Sequence, residues 1–173
     1  METLQSKFEN YVSGHSICSH DDKILLAVSG GVDSMVMLSL FAEAGYQIGV
    51  AHCNFQLRGP EAEEDELLVA EAAEKLGVPH YNIRFDTLKE MESTGESVQM
   101  AARRLRYAWF DALCDEHGYQ RIAIAHHGDD SVETFLINLL RGTGLRGLTG
   151  INVINGRLIR PLLFSTRKEI LDY

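Results

Sequence analysis

The sequence is poor in cysteine and proline and contains no long apolar run. Its 173 residues include 3 Cys and 3 Pro, and the cysteines form no C-x-x-C pair of the kind found in redox motifs and zinc sites. Because these thiols are widely separated and odd in number, we expect free cysteines in a reducing compartment, and hence a cytoplasmic protein. No segment approaches the roughly 18 apolar residues that predict a membrane-spanning helix. The first residues lack the charged and then apolar order of a signal peptide, so we expect no membrane partner.

An excess of positive charge is also missing. The chain has 16 Lys and Arg against 25 Asp and Glu, a formal net charge of −9. This balance disfavours non-specific nucleic-acid binding by the domain as a whole. The segment Glu61–Glu74 carries seven acidic residues and indicates a solvated helix face. The stretch Arg141–Lys168 carries six cations and no acid, which makes it the more informative of the two.

What the sequence does contain is a glycine-rich loop between a predicted strand and a predicted helix. The apolar run Ile24–Val28 predicts a buried strand, and Met35–Ala42 predicts a buried helix. The loop between them reads Ser29-Gly30-Gly31-Val32-Asp33-Ser34. Glycine lets an anion approach backbone N–H groups at the positive end of the helix dipole, so the loop predicts a phosphate site. Asp33 could cap the helix or help to hold a hydrated Mg²⁺.

The loop differs from a Walker loop because no Gly-Lys-Ser/Thr follows, and no lysine therefore reaches a γ-phosphate. A loop of this kind suits a pyrophosphate that leaves, as in adenylation. The alternative is an ordinary strand-to-helix turn with a serine cap, which Gly-Gly alone would favour. The whole six-residue loop favours phosphate binding. It closely resembles the pyrophosphate loop (PP-loop), Ser-Gly-Gly-x-Asp-Ser, of the N-type ATP pyrophosphatases.

Strands and helices alternate along the rest of the chain. Residues 1–22 predict a short amphipathic helix and a polar connector, and residues 23–173 predict one catalytic domain. The further expected strands are Gln47–His52, His80–Phe85, Arg121–Ala125 and Arg157–Leu162. Alternation of this kind predicts a doubly wound α/β fold with a mainly parallel, five-stranded, Rossmann-like sheet and helices on both faces. The ligand site of such a fold lies at the carboxyl ends of the strands.

The helix predictions rest on caps and apolar spacing. We expect helices over Glu61–Leu76, from Ser97 to about His117, over Asp129–Leu140, and over Thr166–Tyr173 with Ser165 as its cap. The first of these should carry an apolar side formed by Leu67, Leu68, Ala72 and Leu76. The second should bury an apolar stripe formed by Met100/Ala101, Leu105, Ala108/Trp109 and Ala112. Thr87–Glu96 is polar and predicts a loop. Gly142–Gly147 matches G-x-G-x-x-G, but it follows a helix instead of a strand, which favours a substrate loop or a plain connector.

Further polar groups follow the other predicted strands. His52–Arg58 follows the second strand, and His126-His127-Gly128-Asp129-Asp130 follows the fourth. The latter segment is consistent with a metal site or with a helix N-terminus whose acids complement the dipole. Asp130 and Glu133 share a helix face and could hold a cationic substrate or Mg²⁺. Arg103 and Arg106 project to one side of their helix, where they could bind phosphate oxygens or form a solvated face.

Together these stretches resemble the catalytic domain of the tRNA(Ile)-lysidine synthetase family. The matching blocks, in order, are Ser29–Ser34, His52–Arg58, Ala102–Tyr107, Ala125–Thr134, Leu140–Gly150 and Arg160–Leu163. Phe55 stands where the family often has histidine, so that position is left out of the expected site. The family normally carries C-terminal tRNA-binding domains, for which this chain has no room. We therefore expect a catalytic fragment that binds nucleotide but handles tRNA poorly.

The resemblance implies an activity and a set of site residues. ATP would adenylate the C2 oxygen of the wobble cytidine of tRNA(Ile) with a CAU anticodon, and free lysine would then displace AMP. The partners would be this tRNA, lysine and ATP, with a homodimer as the assembly. The phosphates and Mg²⁺ would be held by Ser29, Gly30, Gly31, Val32, Asp33 and Ser34, with Asp33 as the metal ligand. Ala51 and His52 would line the adenosine pocket. Catalysis would fall to Asp33, Arg106, His126 and Asp130, and substrate binding to Arg103, Asp130 and Glu133.

Two alternatives follow from the same residues. A tRNA cytidine thiolase of the same superfamily would need cysteines for an iron–sulfur cluster or a persulfide, typically as a C-x-x-C in the region that Ser97–Tyr107 occupies here, and this chain has none there. A non-catalytic nucleotide sensor would account for the loop but not for the His-Asp segment or the arginines. Pyrophosphate release on addition of substrate distinguishes a sensor from an enzyme.

Overall fold

The computed structural model describes residues 2–57, 59–140 and 151–173. The expected connector Arg141–Gly150, its glycine pattern, and Arg58 lie outside the described residues. The elements, in chain order, are α1 (Leu4–Gly14), β1 (Lys23–Ala27), α2 (Val32–Glu43), β2 (Gln47–Asn54), α3 (Pro60–Leu76), β3 (His80–Arg84), α4 (Thr87–Thr94), α5 (Val98–His117), β4 (Arg121–Ile124), α6 (Gly128–Leu140), β5 (Ile154–Asn155), β6 (Leu158–Ile159) and α7 (Arg167–Asp172).

The strands form one sheet in the order β3-β2-β1-β4-β6-β5. All neighbours pair in parallel except β5 and β6, which form an antiparallel hairpin. The doubly wound, mainly parallel sheet is therefore confirmed, but the number of strands is six instead of five. The expected strand Arg157–Leu162 is shortened to Leu158–Ile159. Pro161 has no N–H group to donate, which is consistent with the early end of this strand.

Alternate residues of β1 face two hydrophobic clusters, one on each side of the sheet. Ile24 and Leu26 are fully buried in a cluster formed with residues of α1, α2, α3 and α7. Leu25 points to the other side, into a cluster with Phe110 and Leu113 of α5. This alternation is the period of two that a strand imposes on its side chains. Helices therefore cover both faces, as predicted, and α1 shares the core of the sheet through Phe8.

The predicted inner face of α3 is wrong for its three leucines, whereas Ala72 packs against the core as predicted. Leu67 and Leu76 are 64% and 44% exposed, whereas Val69 and Ala73 are fully buried. Asp65, Val69 and Ala73 are four residues apart and share the face that points to the sheet. Small side chains at these positions let α3 approach closely. The large leucines at neighbouring positions therefore lie on the solvent side.

Other local predictions had mixed outcomes. Ser97 caps α5 as expected, because its side chain accepts the N–H of Met100. The predicted loop over Thr87–Glu96 is wrong, since it contains α4, which Asp86 caps. On α5 the predicted burial of Met100 is wrong, because that side chain is 60% exposed.

The last helix, α7, begins one residue later than predicted. Thr166, instead of Ser165, caps it in a capping box with Glu169. Ser165 is buried, and its hydroxyl donates to the carbonyl of Leu162. In the described ranges, no helix combines the length and apolarity that crossing a membrane requires.

A leucine on the buried side of α2 and one on the exposed side of α3 should contribute differently to the free energy of unfolding. Leu40→Ala removes a fully buried side chain of α2 and should lower the free energy of unfolding by about 2–5 kcal/mol. Leu67→Ala is the matched control on the exposed side of α3 and should change it by less than about 0.5 kcal/mol. Urea unfolding measures both. Equal losses for the two variants would contradict the assigned face of α3.

Candidate active site

The candidate site lies where β1 and β4 run side by side. These strands pair in parallel from Ile24 and Arg121 to Ala27 and Ile124. The chain leaves β1 into the glycine-rich loop and leaves β4 into the His126–Asp130 segment, so both begin at the same sheet edge. The strand order also reverses between β1 and β4, since β2 lies on one side and β6 on the other. Such a switch point is where open α/β sheets bind ligands.

The loop presents an open helix N-terminus. Gly31 is the N-cap of α2 and gives it no side-chain hydrogen bond. The hydroxyl of Ser34 accepts the N–H of Ser29 at 3.1 Å and donates to the carbonyl of Gly31 at 2.8 Å. Ser34 therefore holds the loop closed from within, while the first N–H groups of α2 have no intrahelical acceptor. This geometry is suited to an anion.

A carboxylate of α3 packs directly against this loop. Gly30 has φ +92°, and a Cβ built on it would lie 2.7 Å from Oδ1 of Asp65. The position therefore needs glycine both for its backbone angle and for the close approach. The neighbouring Glu66 accepts hydrogen bonds from Asn54, Asn82 and Arg84. Burial acts to raise the pKa of Glu66, but these hydrogen bonds outweigh it and the pKa is lowered. The expectation of a merely solvated acidic face is therefore wrong for both residues.

Asp33 stands at the junction of the loop, α7 and the segment after β4. Its Oδ2 forms an ion pair with Nη1 of Arg167. Its Oδ1 lies 4.0 Å from Nε2 of His127. This oxygen is buried and has no hydrogen-bond partner among the described residues. An unused carboxylate oxygen is a ligand that Mg²⁺ prefers, so Asp33 fits the metal role expected of it.

The geometry also limits how many protein side chains could bind a metal ion at this site. The described ranges contain no group of three His, Cys, Asp or Glu side chains arranged around one metal position. Mg²⁺ usually takes one or two carboxylates and completes its shell with phosphate oxygens and water. A single aspartate at the mouth of a phosphate loop is consistent with that pattern.

The two histidines after β4 have different surroundings. His127 is 7% exposed, and its Nδ1 lies 3.6 Å from Oδ2 of Asp130, which also accepts the backbone N–H of His127 at 2.8 Å. The ring of His127 therefore lies between the carboxylates of Asp130 and Asp33, without a hydrogen bond from Nδ1 among the described residues. His126 instead accepts a hydrogen bond at Nδ1 from Nε of Arg160 at 3.2 Å. Burial lowers the pKa of His126, and the charge of Arg160 lowers it further.

Two arginines of α5, Arg103 and Arg106, lie over aromatic rings. The guanidinium carbon of Arg106 is 5.1 Å from the centroid of Phe55, and that of Arg103 is 5.0 Å from the centroid of Tyr107. Phe55 in turn stacks on Phe85. Phe55, which the sequence analysis left out, is therefore the platform for Arg106. Arg103 lines an open cleft of about 360 Å³ between α5, β4 and β6.

The remaining expected residues are placed as follows. His52 is buried and its Nδ1 donates to the carbonyl of Val28, while the carbonyl of Ala51 accepts the N–H of Val28. Both residues therefore brace the strand end that carries the loop. Glu133 is exposed, one turn beyond Asp130 on α6. The structure thus brings together the loop, Asp33, His127 and Asp130. The charge of Arg103 acts on His126 from α5, and Glu133 is exposed on α6.

Four residues near this edge had no individual role predicted from the sequence. They are His127, Asp65, Arg160 and Arg167, and each lies within a block or charge run described above. The signal that could have found Arg160 and Arg167 is their position just after the last strand. Other cations of that stretch are engaged as well, since Arg157 pairs with Asp115. In the described part of the basic stretch, Arg157, Arg160 and Arg167 are therefore engaged, whereas Lys168 is exposed.

The comparisons with known proteins agree with this geometry. The family model described as PP-loop domain matches residues 1–173. A protein named tRNA(Ile)-lysidine synthase from Bacteroides thetaiotaomicron is 45% identical over 98% of this chain and 40% of its own length. One of the same name from Chlorobaculum tepidum is 45% identical over 100% of this chain and 54% of its own length. The chain thus spans only about half, or less, of these relatives.

Solved structures share the fold at low sequence identity. The U34-tRNA thiolase NcsA from Methanococcus maripaludis, solved with its [4Fe-4S] cluster, superposes with a TM-score of 0.77 at 18% identity, covering 96% of this chain and 61% of that one. This likeness concerns the fold alone. With the whole-chain match, the loop after β1 and the parallel sheet, the chain belongs to the PP-loop family.

Proposed function

We propose that this chain is the catalytic part of a tRNA(Ile)-lysidine synthase. It would use ATP to ligate free lysine to C2 of the wobble cytidine of tRNA(Ile) with a CAU anticodon. The observation that carries the proposal is the meeting of the phosphate loop with the His-Asp segment at one sheet edge, through the contact of Asp33 with His127. The names of the relatives support the choice of substrates. The homodimer expected from the resemblance stays a prediction.

The reaction has two steps. The C2 oxygen of cytidine bonds to the α-phosphorus of ATP, and the bond to pyrophosphate breaks. The amine of lysine then bonds to C2, the C2–O bond breaks, and the oxygen leaves with AMP. The amine loses a proton in this second step. The site must therefore stabilise a leaving polyanion first and accept a proton afterwards.

The loop and α7 are suited to the first step. The open N-terminus of α2 offers N–H donors to the pyrophosphate as its charge develops. Arg167, which reaches Asp33 from α7, adds a cation at the same place. The loop lacks the lysine of a Walker loop, and Arg167 supplies positive charge in its stead. Mg²⁺ held by Asp33 would neutralise phosphate charge when bound.

Asp130 is suited to the second step. Its bond to the N–H of His127 uses one of the roughly four lone-pair sites of a carboxylate. The remaining sites can bind the ammonium of lysine and take its proton. Glu133, one turn further along α6, would add a second negative charge for the same cation. Arg106, held over Phe55, would face the phosphate or the base.

The thiolase alternative has less support. Burial raises the pKa of Cys18 to about 11, that of Cys53 to about 12 and that of Cys114 to about 11. The thiolate is the reactive form of cysteine, so these side chains are poor nucleophiles at neutral pH. Cys18 also packs in the cluster on one face of the sheet, and Cys53 and Cys114 in the cluster on the other. None of these three cysteines is therefore suited to carry sulfur.

Pyrophosphate release tests the proposed function directly. The full-length protein should release pyrophosphate with ATP and tRNA(Ile) and form lysidine only when lysine is added. Omission of tRNA should abolish release, because the nucleophile of the first step is missing. Pyrophosphate release that needs no tRNA, or a thiolated product, would overturn the proposal.

Asp130→Asn keeps the shape of the side chain and removes its charge. The amide oxygen still accepts the N–H of His127, so the fold and ATP binding should persist, whereas lysidine formation should fall by about 10²–10⁴-fold. Asp21→Asn is the matched control, because Asp21 is an exposed aspartate that precedes β1, at the opposite end of that strand from the phosphate loop. The control should change the rate by about twofold or less. Equal rates for the two variants would contradict the role of Asp130.

Gly30→Ala tests the loop. Alanine at φ +92° would be strained, and its Cβ would collide with Asp65, so nucleotide affinity should fall by at least about tenfold. Gly45→Ala is the control, since Gly45 has φ +74° and open space around it. That variant should cost about 1–2 kcal/mol of stability and leave affinity unchanged. Calorimetric titration with ATP compares them, and undiminished binding by Gly30→Ala would argue against the loop as the phosphate site.

A further inference from the structure

Arg160 is a buried cation at the same sheet edge as the site. It follows β6, which pairs with β4, so it lies beside the residues that follow β4. Its side chain is extensively enclosed, with the residue 8% exposed. Nε donates to Nδ1 of His126 at 3.2 Å, and Nη1 donates to the carbonyl of Asn152 at 2.6 Å. The guanidinium is therefore held from two sides, and one of its bonds ends on an expected catalytic residue.

This hydrogen bond determines the protonation of the histidine ring. Arginine offers only N–H donors, has no acceptor, and does not lose its proton in proteins. The ring nitrogen that it contacts must therefore present a lone pair. Nδ1 of His126 is that nitrogen. In a neutral imidazole the other nitrogen, Nε2, then carries the hydrogen.

The charges around His126 also favour the neutral ring. Burial is the largest cause that lowers the pKa of His126, followed by the charge of Arg160. Arg103 and His127 act in the same direction, whereas Asp130 alone raises the pKa. A neutral ring with hydrogen on Nε2 is therefore the form that the surroundings support near neutral pH.

We propose that Arg160 is a positioning residue that fixes His126 as the Nε2–H tautomer, so that His126 acts on its ligand as a hydrogen-bond donor and not as a proton acceptor. Nδ1 is occupied by Arg160, and Nε2 has no lone pair to offer. A neutral donor at this edge can stabilise an oxygen that gains negative charge, as donors do in oxyanion holes. No proton leaves the ring in this role, so the proton of the incoming amine goes to a carboxylate. The identity of that oxygen rests on the proposed function, but the tautomer does not.

Nitrogen-15 NMR of the histidine-labelled protein tests the tautomer without any substrate. At pH 7.5 the ring of His126 should show a protonated Nε2 and an unprotonated Nδ1. Arg160→Met removes the donors at similar length, and it should give a mixture of tautomers and a higher pKa of His126. Arg160→Lys keeps a cation and one donor and should preserve the Nε2–H form. Arg157→Met is the control, because Arg157 is an exposed residue that pairs with Asp115; its spectrum should equal that of the parent.

Activity of His126 variants then separates a donor from a base. The amide nitrogen of glutamine can take the place of Nε2–H, so His126→Gln should retain at least about tenfold more turnover than His126→Ala. A base role predicts that both variants are equally inactive. Protonated Nδ1 in the parent protein, or equal loss in the two variants, would overturn the proposal. Thermal unfolding of Arg160→Met shows whether it folds, and Arg160→Lys supplies the comparison if it does not.

The two proposals can fail separately. An Nε2–H spectrum in a protein that forms no lysidine would refute the proposed function and leave the positioning role of Arg160 intact. Lysidine formation by a protein whose His126 carries its hydrogen on Nδ1 would refute the positioning role alone.

Discussion

The parallel pairing of β1 with β4 is the constraint on which the site depends. Their register ends at Ala27 and Ile124, so the phosphate loop and the His-Asp segment leave the sheet together although they lie about a hundred residues apart in the chain. β6 extends the same edge on the side of β4 and brings Arg160 and then Arg167 to it. The polar groups of the site thus lie on short segments that follow rigid strands and on the first turns of the helices that come next.

Local signals in the sequence were sufficient to predict a helix end where a single residue caps the helix. Ser97 caps α5 as predicted, because a cap acts within one turn of its helix. The doubly wound sheet followed from the alternation of strands and helices. The antiparallel β5–β6 hairpin was missed because strands of two residues leave no periodic pattern to detect.

Tertiary contacts account for what could not be predicted. Leucines at three positions of α3 outweigh Val69 and Ala73 in any count of hydrophobicity, yet the smaller residues face the sheet because they allow closer packing. The same turn of the helix carries Asp65 to Gly30, a contact between residues 35 positions apart. The bond of Arg160 to His126 spans 34 positions. No spacing rule within one element reveals such pairs.

The adjacent histidines His126 and His127 have different contacts although they follow the same strand. His126 accepts a hydrogen bond from Arg160, whereas His127 lies near Asp33 and Asp130. A cation on one ring and carboxylates around the other give the two imidazoles opposite electrostatic surroundings. Asp130 is bonded to the N–H of His127 and also acts on the charge of His126. A donor without a lone pair, just before α6, and a carboxylate with several, in its first turn, are thus four residues apart in the chain. This is the separation of roles that a reaction with a leaving anion and a proton-losing amine requires.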